Sequence, residues 1–170
     1  MSNTWEGRQR PHIGHITSLF ENEVLGAFMS GHLLLEAILV QILETKPEES
    51  DKGKYFDWSF RKKVDASEAR GLIDVGMASF LRGVNDIRNR LAHKLDIPLT
   101  FDEAFRLAEL AANGGVNFSD ETIYLDRDAS LECYGVKGIV QEVFQNAAQD
   151  LLFLLDDDSY LHEFVAGRHA

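Results

Sequence analysis

A chain of 170 residues, 45% hydrophobic and 26% charged, is long enough for one domain with a sizeable core and ordinary in composition for a soluble globular protein. Its one cysteine, Cys133, excludes an intrachain disulfide framework and a four-cysteine metal site, which suits a reducing compartment. The net charge of −11 works against a nucleic-acid partner, no apolar signal core stands in the first twenty residues, and Glu36 and Gln41 interrupt the apolar run 32–43. A cytoplasmic protein with no membrane segment is expected.

In chain order, residues 1–17 form an N-terminal arm in which His12 and His15 stand near Pro11 and face solvent. The first helix is predicted over about 18–44, with Ser18 and Glu21 at capping-box spacing. Phe20, Val24, Phe28, Leu35, Ile38, Leu39 and Ile42 recur along it at helical period, and His32, close to that stripe, reads as a satisfied core residue. The polar run 45–54 is a loop. A shorter helix over about 56–70 has Gly71 as its stop, and another over about 75–94 has Pro98 beyond its end. Thr100 and Glu103 make a second capping box, opening a helix over about 101–112 that ends at Asn113-Gly114-Gly115. Residues 113–137 read as an irregular insertion, with Asn117–Leu125 a candidate β-hairpin inside 116–130. The last helix, about 138–156, carries Val140, Val143, Phe144, Ala147, Leu151 and Leu154 on one face and closes on Asp156-Asp157-Asp158. The expectation is a single all-α domain over 1–170, an up-and-down helical bundle with a short hairpin insertion.

Most site chemistries have no counterpart in the sequence. There is no phosphate-binding loop, dinucleotide fingerprint or Gly-x-Ser-x-Gly elbow. None of the six histidines falls in a His-Glu-x-x-His pattern. Asp126, Asp128 and Ser130 begin like a calcium loop, but Leu131 and Lys137 stand where its glycine and glutamate belong. No metal and no cofactor is expected. The charge, however, is unevenly spread: residues 61–94 hold eight basic and four acidic side chains, so the acidic excess lies elsewhere. A locally basic site on an acidic body still attracts phosphate at short range.

That basic segment contains Arg88-Asn89-Arg90-Leu91-Ala92-His93. On an ideal helix Met77, Phe80, Leu81, Val84, Ile87 and Leu91 share one arc, and Arg88 falls within it, about 40° from Val84. His93 points about 140° away from Arg88, so the two reach one phosphate only if the helix end unwinds, another helix contributes or a second subunit brings its own copy. A homodimer is therefore expected. An arginine in an apolar stripe needs a counter-charge, and Glu36 and Glu21 of the first helix are the candidates for an ion pair with it.

The Arg-Asn-x-x-x-His hexad resembles the signature of the HEPN superfamily of helical domains. The surrounding run, with Phe60, Lys63, Gly71-Leu72-Ile73 and the hexad, resembles the mannitol-repressor-like branch, and residues 20–44 resemble the family's first helix with Glu36 amid its apolar positions. The similarity covers about residues 19–110. Here Lys94-Leu95 follows the histidine, unlike the toxin pattern, which has a tyrosine two residues after it. The resemblance implies a HEPN-like fold and one of two functions. As a metal-independent endoribonuclease, His93 would be general base or acid, Arg88 would stabilise the phosphorane oxygens and Asn89 would orient one of these two side chains. Arg82, Arg90 and Lys94 would be candidate RNA contacts. As a mannitol-repressor-like module, the chain would be a non-catalytic transcription-regulatory domain with a regulatory protein partner.

Overall fold

A computed structural model describes residues 21–93 and 97–155. The arm at 1–17, Ser18 and Phe20, Lys94, and Asp156-Asp157-Asp158 lie outside the described residues. Helix α1 (Glu23–Thr45) starts later than the capping-box spacing suggests, because Asn22 caps it: its Oδ1 accepts from the Leu25 N–H at 3.0 Å. α1 is 23 residues long with a mean hydropathy of 1.6 in its most apolar stretch, so by length and composition alone it is capable of crossing a membrane despite Glu36 and Gln41. Here 44% of that stretch is buried within the protein, against the last helix (135–153) and the two helices that follow α1 (60–69 and 75–93).

The predicted helix over 56–70 is two pieces. Residues Tyr55–Asp57 make one 3-10 turn; Trp58 and Ser59 are extended, and α2 (Phe60–Ala69) begins with the Ser59 hydroxyl accepting from the Lys62 N–H. Gly71 ends α2 as predicted. With φ at +67°, it lets its own N–H reach Glu68 O and the Leu72 N–H reach Ser67 O, satisfying two terminal carbonyls. Asp74 opens α3 (Val75–His93), accepting from the Met77 N–H at 2.8 Å. Thr100 and Glu103 form the reciprocal capping box of α4 (Phe101–Asn113), and Gly115, at φ +83°, closes it with bonds from Gly115 N to Ala112 O and Val116 N to Ala111 O.

The candidate hairpin is corrected. Residues 116–130 form no strand; α5 (Thr122–Leu125) and α6 (Arg127–Cys133) occupy that stretch. Two aspartates decide it. Asp120 Oδ1 accepts from both the Thr122 N–H and hydroxyl, and Asp126 Oδ1 accepts from the Asp128 and Ala129 N–H groups, so each turns the backbone into a helical start. α7 (Gly135–Phe153) completes the fold.

One apolar cluster runs from Phe28 to Leu155 and draws on α1 to α5 and α7. The crossing of α1 and α7 is its tightest part: Phe28 meets Phe144 edge to face at 5.0 Å, and a Cβ on Gly31 would overlap the Phe144 ring. A second close approach joins the start of α3 to the end of α4, where a Cβ on Gly76 would lie 2.8 Å from Asn113 O. Both ends of α3 are thereby addressed by α4, at Gly76 and, as shown next, at Arg90.

Candidate functional site

α3 turns Phe80, Leu81, Val84 and Leu91 into the core, and this orientation sets the motif. Arg88 and Asn89 are half-buried, with Arg88 Nη1 donating to Asn89 Oδ1 at 3.2 Å. Arg88 Nε is buried without a hydrogen-bond partner among the described residues. His93 is exposed in the last turn. The structure thus brings Arg88 and Asn89 together and leaves His93 on another face.

Neither expected ion pair of Arg88 forms. Glu36 is taken by Lys63, whose Nζ lies 2.6 Å from Glu36 Oε1 and also approaches Phe56 O at 3.4 Å. Glu21 is exposed and pairs with no described residue. The reason is the position of α2: it lays the Lys63 side chain, 3% exposed, along α1 at the level of Glu36. A long stem ending in a compact charge suits that slot. Among the described residues, Arg88 has no carboxylate within ion-pair distance.

His32 belongs to the same junction. It is 4% exposed and its ring lies on Phe60, with centroids 4.3 Å apart. It is a core residue, as expected, but not a satisfied one: Nε2 is buried with no partner among the described residues. Burial holds its pKa below the ordinary value, Glu36 one turn away opposes that, and the charges of Arg88 and Lys63 add to it. His32, Glu36, Lys63 and Arg88 therefore share one electrostatic environment between α1, α2 and α3. Lys63 carried a usable signal, since it follows Phe60 by three residues and shares its helix face. His32 carried none that separates it from an ordinary core histidine.

The other arginines of the segment are matched by acids. Arg82 bonds Asp65 at 2.7 Å and also Glu68, and Arg90 bonds Glu103 at 2.7 Å. Arg70 reaches Glu48, Asp51 and the Tyr55 hydroxyl, while Arg61 lies 3.6 Å from Asp65. Lys62 instead caps the face of Trp58 at 3.7 Å. Of the candidate RNA contacts, Arg82 and Arg90 are thus held by carboxylates, and Lys94 lies outside the described residues. No group of three or more His, Cys, Asp or Glu side chains able to hold a metal occurs among the described residues. An open cavity of about 440 Å³ lies at the end of α1, lined by Ile42, Leu72 and Leu155 among others, near the start of α3. The motif occupies the other end of that helix.

Comparison with protein-family profiles, with curated proteins and with solved structures finds no match to this chain. The hexad and its surroundings therefore have to be weighed on their own chemistry.

Proposed function

We propose that the chain is a HEPN-like helical domain that acts in the cytoplasm as a homodimer and cleaves RNA without a metal ion, through Arg88, Asn89 and His93. One observation carries this reading. In a segment whose other arginines are paired with carboxylates, the motif arginine has none among the described residues, although it is half-buried. An uncompensated cation in such a place is unfavourable by itself and is matched by a bound anion. The guanidinium, steadied by Asn89, is suited to donating to two non-bridging oxygens of a phosphodiester.

His93 would take the proton of a ribose 2′-OH as that oxygen attacks phosphorus. The bond to the 5′ oxygen breaks, the leaving oxygen takes a proton from the imidazolium so formed or from water, and a 2′,3′-cyclic phosphate remains. Arg88 stabilises the negative charge that gathers on the non-bridging phosphorane oxygens in between. Because Arg88 and His93 of one helix diverge by about 140°, a phosphate on Arg88 is served by His93 of the partner subunit.

The test is cleavage of single-stranded RNA by wild type and by His93→Ala, with melting temperature and oligomeric state measured on the same preparations. The wild type should cut RNA in EDTA and leave DNA intact, since DNA lacks the 2′ nucleophile. His93→Ala should be inactive yet fold and dimerise normally. Activity that vanishes in EDTA and returns with a divalent ion would refute the mechanism. A wild-type dimer that cuts no RNA would favour the second reading, a regulatory module with a protein partner. That reading has its own support in the acids already placed on Arg82 and Arg90, which leave little free positive charge around the motif.

A further inference from the structure

Helices α1 and α7 lie side by side and run the same way. Glu23 of α1 pairs with Lys137 of α7 at one end, Gly31 meets Phe144 midway, and Thr45 and Leu154 line one cavity at the other end. Only the inner sides of the two helices are covered. On the outer side of α1, Ser30, Leu33, Leu34 and Ala37 fall within about 100° of one another. All four are exposed, Leu33 to 62% and Leu34 to 48%. On α7 the exposed row is Gln141, Gln145 and Gln149, stacked four residues apart and ending at the exposed Phe153. The row begins one turn after Lys137, beside α1. Phe56, at 81% more exposed than either leucine, stands singly in its turn, and a lone exposed ring is ordinary.

The α1/α7 face is set apart by its lack of charge. The chain holds 28 acidic and 17 basic residues. Between Glu23 and Glu44, however, the one charged residue of α1 is Glu36, which turns to Lys63 of α2. Between Lys137 and Asp150 the one charge on α7 is Glu142, half-buried and bonded by the Asn146 amide. Depletion of charge in the middle of a surface, with charge kept to its rim, marks the core of a protein interface.

The same chemistry selects the occupant. A charged partner finds nothing here to pair with, and hydrocarbon would strand the three glutamine amides. A second copy suits both halves of the face. Glutamine donates and accepts, so the row pairs with the same row running antiparallel, while Leu33 and Leu34 meet apolar groups like themselves. The size is also sufficient. α7 has 19 residues, which makes it about 28 Å long, and two helices side by side are about 20 Å across. Two such faces together bury about 1,100 Å², above the roughly 1,000 Å² a specific interface needs.

We propose that the α1/α7 face is a self-association surface, closed by the same face of a second copy across a two-fold axis. The motif helix α3 packs on the buried side of α1. This surface is therefore separate from the one that would bring His93 of one copy to Arg88 of another, and it does not depend on the RNA reading. Both surfaces used together close a tetramer.

The experiment is the mass of the full chain by analytical ultracentrifugation over a concentration series. Leu33→Glu sets two like charges against each other in the face. It should halve the mass of the wild-type species or raise its dissociation constant at least about 10-fold, with helix content unchanged. Gln145→Glu and Gln145→Lys should each do the same alone, and an equimolar mixture of the two should restore the wild-type mass. Leu125→Glu, similarly exposed but on α5, should change nothing. A monomeric wild type, variants with the wild-type mass, or a mixture that stays dissociated overturns the proposal. Flotation of the wild type, but not of Leu33→Glu, with phosphatidylcholine vesicles gives the face to lipid and also overturns it. Four copies reduced to two by Leu33→Glu, with RNA cleavage retained, supports this surface and the motif dimer together. Two copies reduced to one supports this surface and refutes the motif dimer.

Discussion

Replacing Lys63 by Met isolates the ion pair that the structure puts in place of the expected Arg88 pairing. The ammonium is 3% exposed and its partner, Glu36, is 26% exposed. Removing one partner of a fully buried pair costs about 3–5 kcal/mol. Glu36, open to water over a quarter of its surface, recovers part of its hydration, so Lys63→Met should cost less, about 2–3 kcal/mol. Glu36→Ala should cost more, because the stranded group is then the deeper one, left with only the Phe56 carbonyl at 3.4 Å. At roughly 2–4 °C per kcal/mol for a chain of this size, the first substitution lowers the melting temperature by about 4–12 °C. The decisive measurement is a double-mutant cycle by guanidinium unfolding, followed by circular dichroism at the helix band. The double variant should lose clearly less than the sum of the two single losses, since it leaves no buried charge behind. Additive losses, or a Lys63→Met midpoint equal to wild type, would refute the reasoning and mean that water already solvates the pair.

Two further outcomes follow from packing and protonation. Gly31→Ala should destabilise by about 1–3 kcal/mol because its methyl meets the Phe144 ring, whereas Gly26→Ala, with open space around it, should be neutral or stabilising. A gain of melting temperature in Gly31→Ala would contradict the close crossing of α1 and α7. His32, with its folded pKa held down by burial, contributes stability that is fully present above the unfolded value near 6.5 and is lost as pH falls through the folded pKa. The unfolding midpoint of the wild type should therefore fall more steeply on acidification below that value than the midpoint of His32→Leu. Parallel pH profiles would mean that the imidazole accepts its proton in place, with Glu36 outweighing burial and the charges of Lys63 and Arg88.

The helix ends were the most legible part of the sequence, because a cap is a local event. Gly71, Gly115 and the Thr100–Glu103 box act where their spacing says, since each bond spans only a few residues. The stretch after Val116 is less legible: its mixed polar and apolar order resembles a hairpin, and what overrides it is the local bonding of two aspartates, Asp120 and Asp126, to backbone N–H groups just after them. The partner of Glu36 could not be read at all. Helical geometry placed Arg88 correctly within its stripe but says nothing about which neighbour of α1 arrives beside Glu36. Only the packing of α2 decides that. The exposure of Phe56 was equally hidden, because three other aromatics within a few residues of it are drawn into packing.

Glu103 closes the capping box at the start of α4, with Oε2 accepting from the Thr100 N–H at 2.9 Å, and its Oε1 also lies 2.7 Å from Arg90 Nη2 of α3. One carboxylate thus ties the final turn of the motif helix to the first turn of the next, across the link between them. With that strap in place, the spacing of the two helix ends does not depend on the residues of the link itself. Substitutions in the link should therefore leave the motif in register as long as an acid at 103 and a base at 90 persist as a pair. A change at either position would shift the frame in which Arg88 and His93 are presented, although neither residue touches them.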